Sequence, residues 1–129
     1  MVEPTSEHNR ICGIVVDSAS AVHRALGPGL AEAVYEQCLA HELASRQIRF
    51  VRQMSLPVTY RGMRIEAGLR LDFVVERLVV VELAAVEEMA PIHEARLLTY
   101  LKLSDHILGL LINFNAPRIE EGVRRIVRG

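Results

Sequence analysis

The sequence predicts an α/β fold, a mixed central β-sheet flanked by helices, and a small number of observations predict it. Two amphipathic helical stretches open the chain and a run of strand-like segments follows. A further helical stretch then separates an almost wholly apolar strand from a second one rich in Leu and Ile. Half of the 129 residues are apolar, enough for one buried core and too many for a disordered chain. Trp is absent and aromatics are few, so Leu, Val, Ile and Ala must fill that core.

Residues 1–10 carry Pro, Thr, Ser, Glu and His without an apolar run, which predicts a loose N-terminal arm, no signal peptide, and one domain over 11–129. Over 11–26, Ile11, Ile14, Val15, Ala19, Val22 and Leu26 keep helical spacing, and Gly27-Pro28-Gly29 ends the helix. A second helix runs over 30–46, with Leu30, Val34, Leu39 and Leu43 as its buried stripe. Residues 48–60 read as a strand in which Pro57 marks an edge position or a bulge. Arg61-Gly62 turns into a short strand over 63–66, and 69–75 is a third. After Glu76-Arg77, residues 78–86 form a fourth strand, apolar enough to be central. Pro91 suits the first position of a helix over 91–103, with Ile92, Ala95, Leu98 and Leu101 on its core face. The last buried strand spans 107–114, and 119–127 reads as a closing amphipathic helix.

Fifteen basic residues against sixteen acidic ones leave a net charge of −1. That balance excludes strong attraction of the whole surface to nucleic acid or to anionic membranes, though not a local basic patch. No apolar stretch approaches the roughly 20 residues that a bilayer requires, so the expected location is cytoplasmic. Cys12 and Cys38 lie in helical patterns and read as buried free thiols, and no Cys/His spacing reads as a zinc site.

Two carboxylates are physically awkward. Asp72 interrupts Leu69-Arg70-Leu71-Asp72-Phe73-Val74-Val75, and Glu82 interrupts the apolar run 78–86. An ionised carboxylate in a core strand costs on the order of several kcal/mol unless a cation or hydrogen bonds compensate. Two on adjacent strands repel as well. A divalent metal relieves both problems, since Mg²⁺ is held by one or two carboxylates plus waters. The alternative is that each sits at a strand end or pairs with Arg70 or Arg64. Glu32 and Glu36 lie one turn apart around Tyr35, as on a solvated face or a site wall. His93, Arg96 and Tyr100, at i, i+3 and i+7, share one face of the helix after the central strand. Such a stripe lines a site if it faces the sheet and is solvated otherwise.

Gly29-Leu30-Ala31-Glu32-Ala33-Val34-Tyr35 spells G-x-x-E-x-x-Y. Arg70-Leu71-Asp72-Phe73-Val74-Val75, Val81-Glu82-Leu83, Pro91-Ile92-His93-Glu94-Ala95, Leu97-Leu98-Thr99-Tyr100-Leu101 and Gly109–Asn115 follow in order. Over about residues 11–129, this ordered set resembles the GxxExxY proteins of the PD-(D/E)XK nuclease-like superfamily. The resemblance implies a PD-(D/E)XK-like fold in which Glu32 is the helix carboxylate, Asp72 the strand Asp and Glu82 the Glu of E-x-K. In active members such carboxylates bind Mg²⁺ or Mn²⁺, and a lysine two residues after the Glu stabilises charge in phosphodiester hydrolysis.

The sequence departs from that pattern at two places. Ala84 stands at the lysine position, and Arg96 replaces Gln in a Q-x-x-x-Y pattern that Tyr100 still completes. Losing one such electrostatic contact costs about 10²- to 10³-fold in rate. An arginine near Asp72 or Glu82 is expected to form a salt bridge with one of them and to occupy the metal position. The expected function is therefore non-catalytic: a PD-(D/E)XK domain with a degraded site, acting through self-association or binding, without a cofactor. A homo-oligomer or larger self-assembly is the expected partner, nucleic acid a weaker one, and a membrane none. The alternative is a Mg²⁺- or Mn²⁺-dependent nuclease acting on DNA or RNA, with Asp72, Glu82 and Glu32 as metal ligands and Arg96 replacing the lysine.

Overall fold

The computed structural model describes residues 2–129. Helix α1 (Ser6–Leu26) starts inside the stretch expected as a loose arm. Thr5 caps it: Oγ1 accepts from the His8 N–H at 3.3 Å, and His8 Nδ1 accepts from the Thr5 N–H at 3.1 Å. The two bonds satisfy two end donors reciprocally, with His in the place more often held by Glu or Gln. Ile11, Val15, Ala19 and Val22 form its buried face. Helix α2 (Glu32–Ser45) buries Tyr35, Leu39, Ala40 and Leu43. Leu30 and Val34, expected in that stripe, are each 41% exposed. Tyr35 takes their place, because its ring stacks on Phe114 with centroids 4.7 Å apart.

Five strands lie side by side in chain order: β1 (Phe50–Tyr60), β2 (Met63–Val75), β3 (Val79–Ala84), β4 (Leu108–Asn113) and β5 (Val123–Val127). All neighbours are antiparallel except β3 and β4, which run parallel and are joined by helix α3 (Pro91–Ser104). The sheet is therefore mixed, as expected. The two short strands expected over 63–66 and 69–75 are one strand, β2. Gly68, at φ +72°, and a register shift opposite Leu56 and Val58 carry the chain through without a break. Pro57 lies at that irregularity on an edge strand, where its missing N–H costs no ladder bond.

The closing helix expected over 119–127 is a single turn, α4 (Ile119–Gly122), and the rest is β5. Without β5, β4 would present a row of unpaired backbone groups, and pairing from Leu108↔Val127 to Ile112↔Val123 satisfies them. Gly122 is required at the junction, because a Cβ there would collide with the Asn113 carbonyl.

The sheet separates two apolar clusters. Val79, Val81 and Leu83 of β3 pack with α1 and α2, and Val80 packs with Leu97 and Leu101 of α3. Helix α3 is rotated relative to expectation: Leu97 and Leu101 are its buried residues, and Ile92 is 64% exposed. It lies close on β4, since a Cβ on Gly109 would meet Leu97 and Leu101 at 3.1–3.2 Å. Cys12 and Cys38 are free thiols, the first buried and the second only half-buried. Among the described residues no helix is long and apolar enough to cross a membrane.

Candidate active site

The β2–β3 ladder runs through Val75↔Val79, Val74↔Val80 and Phe73↔Val81 and stops there. The next residues in that register are Asp72 and Glu82. Here the strands part, and side chains replace the backbone pairing. Glu82 Oε2 accepts from the Asp72 N–H at 2.7 Å, and Asp72 Oδ2 accepts from the Leu83 N–H at 2.8 Å. Each carboxylate thus satisfies a backbone donor that the open ladder would orphan. On the other side of β2 the ladder also skips a residue. Arg52 pairs with Phe73 and Met54 with Leu71, leaving Gln53 opposite Asp72 without a backbone partner. Gln53 Nε2 donates to Asp72 Oδ1 at 3.2 Å and to Glu36 Oε1 at 2.8 Å. Neither Arg70 nor Arg64 pairs with these carboxylates: Arg70 donates to the Gln53 carbonyl and Arg64 pairs with Glu66.

The G-x-x-E-x-x-Y segment has a clear local logic. Gly29, at φ +99°, turns the chain in a conformation that favours glycine. Tyr35 Oη donates to the Gly27 carbonyl at 2.6 Å and accepts from the Leu30 N–H at 3.1 Å. The buried tyrosine so fixes the loop that presents Glu32 as the first residue of α2. On the far side of the sheet, Pro91 starts α3, and His93 Nδ1 accepts from the Ala90 N–H at 2.9 Å. Nδ1 is thus taken up by the Ala90 backbone, and the other ring nitrogen, Nε2, makes no hydrogen bond among the described residues. At the C-terminal end of β3, buried Asn113 ties the strand exit to β4. Its Oδ1 accepts from Val86 N–H at 3.1 Å and its Nδ2 donates to Val86 O at 2.9 Å.

These elements meet at one pocket of about 200 Å³, lined by Glu32, Asp72, Glu82, Leu83, Ala84, His93, Arg96, Leu97, Tyr100 and Leu111. Of the residues singled out for the site in the sequence, Glu32, Asp72, Glu82, Ala84, Arg96 and Tyr100 line it, and the stripe of His93, Arg96 and Tyr100 faces it. Glu36 does not, but it holds Gln53. Gln53 is unmarked in the sequence, and Asn113 enters it only as one position of the Gly109–Asn115 segment. Gln53 has a left-handed backbone, φ +52°, for which a glutamine in a strand pattern carries no signal, and an asparagine at a strand end reads as a turn residue.

The pocket is short of positive charge near its acids. Burial first, then the Asp72 and Glu32 charges, push Glu82 up to about 8, against a bond from the Asp72 N–H that favours its ionised form. Burial also raises Asp72, which the Leu83 N–H and Gln53 partly oppose. Glu32, at the exposed rim, is raised by partial desolvation and then by Asp72 and Glu36. Arg96 is the last and weakest influence on each of the three. The internal salt bridge expected for it is not formed: among the described residues, no carboxylate lies within ion-pair distance of Arg96. Lys102, the chain's single lysine, is exposed on α3 and does not line the pocket. No lysine has migrated to cover for Ala84.

Among the described residues no group of three or more His, Cys, Asp or Glu side chains is disposed to hold a metal ion. The donors present still suit a hard cation. Asp72 and Glu82 are oxygen donors on facing strands with one oxygen each fixed by backbone; burial raises both, and the Asp72 charge raises Glu82 further, which a cation would relieve. Mg²⁺ needs only one or two carboxylates and completes its shell with water. A family model described as PD-(D/E)XK nuclease superfamily matches residues 9–126. No curated protein and no solved structure gives a significant match.

Proposed function

The chain belongs to the PD-(D/E)XK nuclease superfamily, and we propose that it is a GxxExxY-type member that binds a divalent cation and nucleic-acid phosphodiesters but is crippled in hydrolysis at Ala84. Asp72 and Glu82 would hold Mg²⁺ or Mn²⁺, with Glu32 at the rim. The ion supplies Lewis-acid polarisation and a more acidic bound water. Arg96 and His93 face phosphate oxygens from the α3 side, with the Arg96 guanidinium as the charged donor. What the pocket lacks is the ammonium group that position 84 would carry, worth about 10²- to 10³-fold in rate.

The observation that carries this reading is the unpaired Arg96. A site that had decayed into an internal ion pair would have closed the guanidinium onto Asp72 or Glu82. Here it stands in the pocket wall with its donors uncommitted to either, and the acids keep their need for a cation. The test is calorimetric titration with Mn²⁺ above pH 8, where Glu82 is ionised. Wild type should bind and Asp72→Asn should not. Absence of Mn²⁺ binding by wild type would remove the basis of the proposal.

The non-catalytic, self-associating reading rests on a different place. At the end of the β1–β2 hairpin, Tyr60 and Met63 are 57% and 56% exposed, an apolar tip suited to a second copy of the chain. Sedimentation of wild type against a Tyr60→Ser/Met63→Ser double variant tests it. Both running as monomers at micromolar concentration counts against self-association.

A further inference from the structure

We infer that Gln53 is a positioning residue, held in a strained backbone conformation inside β1 so that its single amide group fixes the free oxygen of Asp72. The inference rests on the cation-site reading above.

Among the described residues, six non-glycine residues have positive φ: Gln47, Gln53, Arg61, Glu76, Arg77 and Asp105. Five sit at turns or helix ends, where such angles are ordinary. Gln53, at φ +52°, is the one inside a strand. An unfavourable conformation persists only where its surroundings over-determine it, and such residues cluster at functional sites. Its surroundings do so here from several directions. The Arg70 Nη1 donates at 3.3 Å to the Gln53 carbonyl. The two hydrogens of Nε2 reach different acceptors, Glu36 Oε1 and Asp72 Oδ1. Glu36 is itself anchored, accepting from Arg52 Nη2 at 2.9 Å and Nε at 3.2 Å.

The register explains why the amide comes from this residue. In a regular antiparallel ladder Gln53 would sit directly opposite Asp72 with its side chain on the same face. At φ +52° it gives up backbone pairing there, and its amide holds the oxygen that Leu83 leaves free. Asp72 is then held at both oxygens, one by a β3 amide and one by Gln53, while Glu36 and Arg52 brace the amide from behind. Outer groups that orient a metal-binding side chain commonly change metal affinity by 10- to 100-fold.

The test compares wild type, Gln53→Gly and Gln53→Asn by Mn²⁺ titration above pH 8 and by melting temperature without metal. Gly and Asn both accept a left-handed backbone, so neither forces the strand to rearrange. Neither is expected to place an amide between Glu36 and Asp72. Mn²⁺ affinity should fall by at least about 10-fold in both variants, and the metal-free melting temperature of Gln53→Gly should not fall. Unchanged affinity in both variants overturns the inference while leaving the cation site standing. So does a loss of affinity that tracks a lower melting temperature, which would mark a purely structural role. Failure of wild type to bind Mn²⁺ overturns the cation site and this inference together.

Discussion

Val79–Val81 and Glu82–Ala84 are consecutive triplets of one strand, and they solve opposite problems. The first is paired on both sides, to β2 and to β4, and all three side chains are buried in apolar clusters. The second keeps its pairing to β4 but has lost β2. Its carboxylate and that of Asp72 do the work the ladder no longer does. Stability therefore comes from burial in the first half. In the second, burial acts against the charged form of the groups it encloses. The site is not an addition to the sheet but the place where the sheet stops being one.

The sharpest way to test that contrast is at its far end. Ala84→Lys would return an ammonium group to the pocket wall, and phosphodiester cleavage with Mn²⁺ should rise by about 10²- to 10³-fold over wild type. Equal rates would mean that more than the lysine has been lost.

The pH dependence of stability comes next. A carboxyl raised in the folded state keeps its proton after the unfolded chain has released its own. The contribution of Glu82 is thus fully present below its ordinary value of 4.5 and is lost as pH rises towards about 8. Asp72 and Glu32 act in the same direction. Metal-free protein should lose on the order of a few kcal/mol across that window in chemical denaturation. Glu82→Gln keeps an oxygen for the Asp72 N–H, removes most of the slope, and should stabilise the metal-free protein at pH 8. In the paired half the sign reverses: Val81→Ala should cost about 2 kcal/mol at any pH. If Glu82→Gln also destabilises at pH 8, the two halves are not opposites. The smallest effect is expected away from the strand. Tyr35→Phe removes two hydrogen bonds that brace the Glu32 loop and should cost about 1 kcal/mol.

Much of this contrast was legible in the sequence. Asp72 and Glu82 announced themselves because a charge in an apolar strand demands an explanation, and the pocket supplies it. What misled were segments whose pattern satisfies two periods. In Val123-Arg124-Arg125-Ile126-Val127 the apolar positions fit a helix as well as an edge strand, and the need of β4 for a partner decides between them. The N-terminal arm looked loose because its capping box uses His8, a residue that composition does not flag. On α3 the apolar spacing allowed either of two neighbouring faces. The close approach at Gly109 selects Leu97 and Leu101 and so turns His93 and Tyr100 to the pocket. The Arg96 salt bridge failed for a different reason. Sequence can bring opposite charges to one pocket, but not to contact distance.

The bonds between Asp72 and β3 span only 10 and 11 residues of chain, across a tight turn, whereas Glu32 and the α3 side chains arrive from more distant sequence. In the language of folding kinetics, the carboxylate pair belongs to the low-contact-order part of the molecule. A chain that has formed only its β2–β3 hairpin would already carry both acids face to face, before any helix covers them and before burial raises their affinity for protons. Pulse-labelled hydrogen exchange should then find the Asp72 and Leu83 amides protected no later than those linking β3 to β4. Later protection would mean that the site waits for the helices.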